Sequence, residues 1–249
     1  MAQETKKENK QSRRDERRQK TNALVKQEEE GVLSYSKQNT FGLELRTSGY
    51  GLFFEHGRMR SPRFTNLYSL ELSEIMHPKE EKLSNSSQGY FANSFKYGKI
   101  INFYQAKLGF GQQYIFGQKG NKNGIAVMGI VKGGLAIGLM KPYYLNVQDG
   151  TGTERTIKYS RKDSSDFVGA RIIGSAGLGK GWSEVKVNPG LFINTALRFD
   201  FGAFNESISA LELGFSADAY SKKVEQLVAN PSKRFFYQAH VALLFGNRK

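Results

Sequence analysis

His56, His77 and His240 are the residues of this chain best suited to acid–base or metal chemistry, and no cysteine accompanies them. Without thiols there is no disulfide framework, no thiolate metal site and no thiol nucleophile. None of the histidines has a Glu or His at metal-ligand spacing on a shared face, so no metal or other cofactor is expected. His77 precedes Pro78, with Ser73 and Ser84 to either side and Glu74, Glu80 and Glu81 as acid partners. A Ser-His pair in such a loop would suit a lipid-modifying hydrolase. Serine and glutamate are common in loops, however, and catalysis needs them within hydrogen-bond reach. Gly174-Ser175-Ala176-Gly177-Leu178-Gly179-Lys180-Gly181 nearly matches a phosphate-cradling loop. Gly181 stands where a Ser or Thr should ligate magnesium, and an extended pattern rather than a helix follows Trp182. The sequence therefore carries no catalytic spacing, and the chain is read as non-enzymatic.

The elements around these residues are dominated by a period of two. Leu43 and Leu45 alternate with Glu44 and Arg46; Leu70 and Leu72 alternate with Ser69 and Glu71; Ala106 and Leu108 alternate with Lys107. The pattern recurs at Val131 and Leu135 against Lys132, at Leu197 and Phe199 against Arg198 and Asp200, and at Leu211, Leu213 and Ala217 against Glu212 and Asp218. It ends at Val241, Leu243 and Phe245, opposed by His240. With the segment Leu52–Arg58 this makes about eight strands, several at or above the ~9–11 residues that cross a membrane. The 249 residues, with 27 glycines, 18 phenylalanines and 12 tyrosines beside only 5 prolines, favour strands and turns. No apolar run approaches the ~20 residues a membrane helix needs. Barrel strands alternate lipid-facing with lumen-facing residues, so a spanning sequence is allowed to be polar on average.

The predicted connections are short near Ser48-Gly49, short at Arg58–Pro62, long at His77–Tyr97, short at Gln118–Gly124, long at Gln148–Pro189, short at Ala203–Ser207 and medium at Lys222–Lys233. Apart from the first, long and short alternate, as in outer-membrane barrels with short periplasmic turns and long outer loops. An even strand number then places both termini on the periplasmic side. The expected fold is all-β: a closed antiparallel transmembrane β-barrel of about eight strands over residues 39–249, preceded by a charged arm, helical or disordered, over 1–38. Within that arm, Gln3–Gly31 carries nine Lys or Arg against seven acids and almost no apolar surface. A small barrel fills its interior with side chains. The lumen is expected to hold a charge network of Glu44, Arg46, Glu55, Glu71, Lys107, Lys132, Arg198, Asp200, Glu212, Asp218 and His240, in which both signs allow pairing. Tyr114, Phe116, Tyr143, Tyr144, Phe199 and Phe245 fall near predicted strand ends, where an aromatic girdle belongs. Asp166–Leu178 is expected as a short amphipathic helix on the rim, with Arg171, Lys180 and Lys186 toward anionic headgroups.

Lys26-Gln27-Glu28-Glu29-Glu30-Gly31, Gly49-Tyr50-Gly51-Leu52-Phe53-Phe54-Glu55-His56-Gly57, Leu108-Gly109-Phe110-Gly111-Gln112-Gln113, Lys119-Gly120-Asn121-Lys122-Asn123-Gly124 and Lys141-Pro142-Tyr143-Tyr144 together resemble small outer-membrane β-barrel proteins of Bacteroidota. The resemblance covers most of the chain and implies a fold and a location without any catalytic residue. It also permits a role as an accessory subunit of a barrel-assembly or secretion machine. The N-terminus has no apolar h-region, so the chain either starts in the cytosol or has lost its export signal, and Ala2-Gln3 suits the second. The formal charge of +14 raises nucleic-acid binding, but no nucleic-acid-binding motif is present and the charge is spread through loops, lumen and arm. Outer-membrane lipid and lipopolysaccharide supply sufficient counter-ions. A protein partner in the outer membrane or periplasm is expected, with no nucleic acid. A narrow pore or small-ligand carrier and a lipid-modifying enzyme stand as the alternatives.

Overall fold

The structure, a computed structural model, describes residues 35–249 except 84–93, 120–123, 149–150, 161–170, 203–206 and 229. The described residues form thirteen strands: β1 (Lys37–Arg46), β2 (Gly49–Ser61), β3 (Phe64–Ile75), β4 (Lys82–Leu83), β5 (Phe95–Lys96), β6 (Ile101–Gly117), β7 (Ala126–Pro142), β8 (Tyr144–Gln148), β9 (Glu154–Lys158), β10 (Arg171–Ser175), β11 (Lys186–Asp200), β12 (Ser207–Val224) and β13 (Lys233–Arg248). Eight of them close a barrel in the order β1-β13-β12-β11-β7-β6-β3-β2, every neighbour antiparallel. The two ends of the described chain are joined directly, since Lys37 N–H donates to Lys249 O and Lys249 N–H to Lys37 O, both at 2.8 Å.

Alternation along each strand fixes which residues face out. On β1, Leu43 is 53% exposed while its neighbour Glu44 is 3% exposed, and Phe41 and Leu45 lie outside with Leu43. The outer wall is Leu, Ile, Val and Phe, and the interior holds most of the barrel's charge. This is the inverse of a water-soluble barrel and the polarity of one surrounded by lipid. The shortest barrel strand, β1, has ten residues. At about 3.3 Å per residue and a tilt of about 40° it covers about 25 Å, the height of a bilayer's apolar band.

Interior glycines make room for the large side chains opposite them. A Cβ on Gly138 would lie 2.7 Å from the Phe103 ring and 2.9 Å from Tyr220, and one on Gly42 would lie 2.3 Å from Phe53. Phe103 thereby wedges between Tyr220 and Phe236, with ring centroids 5.2 and 5.4 Å away.

The two longest connections lie at the same end of the barrel. The termini share their end with the connections after Ser61, Gly117 and Asp200, while the connections after Ile75, Pro142 and Val224 lie at the other end with the tight Thr47-Ser48 turn. This loop end carries a second layer: a two-stranded sheet of β4 and β5 and a three-stranded sheet in the order β10-β8-β9. Arg171–Ser175 is therefore strand β10, not part of the expected Asp166–Leu178 helix. Ile172 is buried in an apolar cluster with Phe95, Leu145 and Val147, which a strand's alternation delivers without a helix.

Candidate functional site

The lumen is filled by paired charge. Near the loop end, Arg46 donates Nε to Glu44 at 2.7 Å and Nη1 to Gln238 at 3.0 Å, and also contacts Glu71. Lys107 lies 3.2 Å from Glu71 and 2.7 Å from Asp218, and its ammonium stands 5.2 Å from the centre of the Phe192 ring. Deeper, Arg198 bridges Glu55 at 2.5 Å and Glu212 at 2.6 Å. Lys132 reaches Glu55 at 2.7 Å, and His240 Nε2 is 3.4 Å from Glu212. At the terminal end Asp200 meets Arg248 and, at 3.8 Å, Lys119. Six buried acids (Glu44, Glu55, Glu71, Asp200, Glu212, Asp218) thus face six buried bases (Arg46, Lys107, Lys119, Lys132, Arg198, Arg248). Buried pairs gain little net stability, but a charge left without its partner is expensive.

Both ends of this network are closed by apolar groups. Toward the loops, Ile75, Phe103, Ala136, Phe192, Tyr220, Val224 and Phe236 form a buried cluster. Toward the termini, Tyr35 packs with Ile115, Ala126 and Met128. Its hydroxyl bonds Thr65 Oγ1 at 2.9 Å and accepts from Gln113 Nε2 at 3.1 Å, while the Arg248 guanidinium lies 5.2 Å from its ring centre. Burial raises the Tyr35 hydroxyl above its usual pKa despite these partners. Pairing begins at Lys37, so the barrel claims the last residues of the stretch assigned to the arm, whose residues 1–34 lie outside those described. Tyr35 was not legible as a lumen residue because it precedes the first alternation.

The loop layer has its own polar anchor. Glu80 binds Lys96 at 2.5 Å and Lys99 at 2.9 Å and accepts from the His77 N–H at 3.1 Å. Burial disfavours the ionised Glu80, but the bonds and charge of the two lysines outweigh it and hold the carboxyl below its usual range. Burial also pushes the Lys99 ammonium down to about 8, Glu80 notwithstanding. A second segment folds back onto the outer wall. Gly181, at φ 91°, turns the chain so that Trp182 stacks on the outward Tyr104 at 5.7 Å. Lys141 lies beneath, donating to Leu178 O at 2.5 Å with its ammonium 4.8 Å from the indole centre.

The structure places Glu44, Arg46, Glu55, Glu71, Lys107, Lys132, Arg198, Asp200, Glu212, Asp218 and His240 together in the interior. Tyr114, Phe116, Phe199 and Phe245 lie on outward positions toward the terminal end, with Tyr114 against Phe64 and Phe116 at 4.8 and 5.2 Å. Tyr143 and Tyr144 do not belong to that girdle. The pairing of β7 with β6 stops at Pro142, and the chain then rises into the loop layer. There Tyr143 packs on the Phe95 cluster and accepts from Lys96 N–H, and Tyr144 donates to Glu184. Ser73 and His77 are not brought together: Ser73 turns into the lumen and donates to Gln105, while His77 Nδ1 accepts from Lys79 N–H. Ser84 lies outside the described residues. His56 faces outward, its Nδ1 2.7 Å from Asn39 Oδ1. Among the described residues no cluster of His, Asp and Glu is arranged to hold a metal.

No family model and no curated protein matches the chain. Several solved structures resemble it, three of them as follows. Neisserial surface protein A is 9% identical, covering 86% of this chain and 96% of its own, at a TM-score of 0.40. The N-terminal β-barrel domain of Pseudomonas aeruginosa OprF is 8% identical over 85% and 98%, at 0.37. Ail, the attachment invasion locus protein of Yersinia pestis, solved with the heparin analogue sucrose octasulfate, is 8% identical over 87% and 100%, at 0.39. The barrel itself rests on the strand pairing and the inverted polarity.

Arg198→Met leaves Glu55 and Glu212 short of a shared cation, and urea unfolding in detergent should show a loss of about 3–5 kcal/mol. An unchanged midpoint would mean the lumen tolerates the unpaired charge. Glu80 has a folded pKa below its ordinary 4.5, so the stability it gives the loop layer is present above that pH and lost as pH falls through the folded value. Hydrogen exchange at residues 95–100 should therefore quicken in acid, after correction for intrinsic rates. Glu80→Gln should show the fast pattern already at pH 7.

Proposed function

We infer that this chain is a non-enzymatic β-barrel of the bacterial outer membrane, acting as a structural or interaction subunit through its loop end and its N-terminal arm. The observation that carries this is the filled lumen: its charges are matched in sign, and apolar clusters close both ends. Among the described residues, such an interior offers no open path for solute, which argues against a pore. The shared end of the two longest connections supports a topology with both termini in the periplasm and the β4–β5 and β8–β10 sheets outside. The apolar wall would face lipid, and the basic loop end would meet lipopolysaccharide phosphates. The arm, charged and placed beside the periplasmic turns, is the segment suited to a larger partner such as an assembly or secretion barrel.

Purification in mild detergent from the native envelope should recover a stoichiometric protein partner, and deletion of residues 3–31 should release it. Recovery of the barrel alone, at full yield and in both forms, removes the subunit role. In planar bilayers the purified chain should give no steady ion current. A stable conductance altered by Lys132→Glu would instead establish a pore.

A further inference from the structure

The lumen leaves few of its charges without a partner, whereas the loop end carries exposed lysines that make no salt bridge, and some of them surround a cavity. Over the mouth of the barrel lies a cup of about 560 Å³, within the ~300–1,000 Å³ range typical of small-molecule sites. Its floor is Ile101 and Met140, which pack on the Phe103–Phe236 cluster that seals the lumen below, and Ile100 and Pro142 extend that apolar surface. Around this surface stand Lys158, Lys186 and Lys223 with Glu184 and Glu225.

The rim charges are not equivalent. Lys158 and Tyr144 both bond Glu184, whose carboxyl they hold below its usual range. That pair is neutral and occupied. Lys186 and Lys223 are exposed and among the described residues neither makes a salt-bridge contact, although the charge of Lys186 also acts on Glu184. Glu225 is the remaining rim acid, so three ammoniums stand against two carboxylates above an apolar floor, and the rim is net positive.

Each feature narrows what fits. A neutral sugar would gain little from Ile101 and Met140. A cation would be repelled by the rim. A bare anion would leave the floor wet, an apolar surface whose burial is favourable at about 25 cal/mol per Å². We propose that the cup is a binding site for a small anionic amphiphile, with a phosphate or carboxylate head between Lys186 and Lys223 and a short alkyl or aryl tail on Ile101 and Met140. The site follows from the fold and does not depend on the subunit role above. The cup lies above the sealed lumen, so its ligand binds without passing through the barrel.

The full chain in phosphatidylcholine nanodiscs, titrated calorimetrically with hexyl phosphate, tests this. Empty discs supply the blank for partitioning. Saturable binding at one site per chain is expected, at least tenfold tighter than hexanol or inorganic phosphate. The double substitution Lys186→Glu with Lys223→Glu, both exposed and without a salt-bridge contact, should weaken hexyl phosphate at least tenfold while the barrel's thermal unfolding stays unchanged. Ile101→Trp, which fills the floor, should weaken it similarly. Absence of saturable binding overturns the proposal, as does equal binding of hexanol or phosphate, or an affinity indifferent to the lysine pair. Doping the discs with phosphatidylglycerol identifies the source: competition with hexyl phosphate points to an anionic lipid from the leaflet, and its absence to a soluble ligand, the site standing in either case.

Discussion

The pairing of charge inside a space too narrow for bulk water is the constraint on which the rest of the structure depends. A wall that faces lipid must be apolar, so the polar half of every strand is turned inward. Eight strands enclose little volume. Arg198, held between Glu55 and Glu212 with Lys132 beside them, shows the result: a charge buried on one strand has to be answered from strands across the barrel. The interior fixes the register of the wall, because a one-residue slip of any strand would send its ions into lipid and its leucines into the ion cluster.

Two apolar clusters bound this ionic centre and give it its low-dielectric surroundings. The Phe103 cluster exists because Gly138 gives the ring room, and the Tyr35 cluster because Tyr35, two residues before β1, is buried against Ile115, Ala126 and Met128. The interior is then filled, and the elements left over lie outside it. The long β6, β7 and β12 carry the extra sheets and the lysine rim beyond the membrane.

The barrel and its interior charges were legible in the sequence because a period of two assigns every side chain to a face without knowledge of its neighbours. Glu44 and Arg46 could be placed in the lumen from Leu43 and Leu45 alone. The loop layer was illegible for the same reason. The strands β8, β9 and β10 have five residues each, too few for a period to declare itself, and Ile172 looked as well suited to a helix as to a sheet. Tyr143 and Tyr144 were misassigned because an aromatic pair at a strand end reads the same whether the chain stops at the bilayer or continues above it. The cup was also invisible, since Ile101, Met140, Lys186 and Lys223 come from four strands and meet only when the barrel closes.

That closure has a consequence for how the molecule comes into being. β1 pairs with β13, and the backbone of Lys37 holds that of Lys249 from both sides. The seam therefore joins the first strand of the barrel to its last, the longest separation among its strand pairs, and the residues at the end of β13 do more than zip the wall. Arg248 brings the cation for Asp200 and covers Tyr35. Until that seam closes, the sheet has an unmatched carboxylate and a bare edge at each side, and bare edges are ready templates for pairing with other strands. Arg248 and Lys249 together act as the clasp of the whole circle, one through its charge and the other through its backbone.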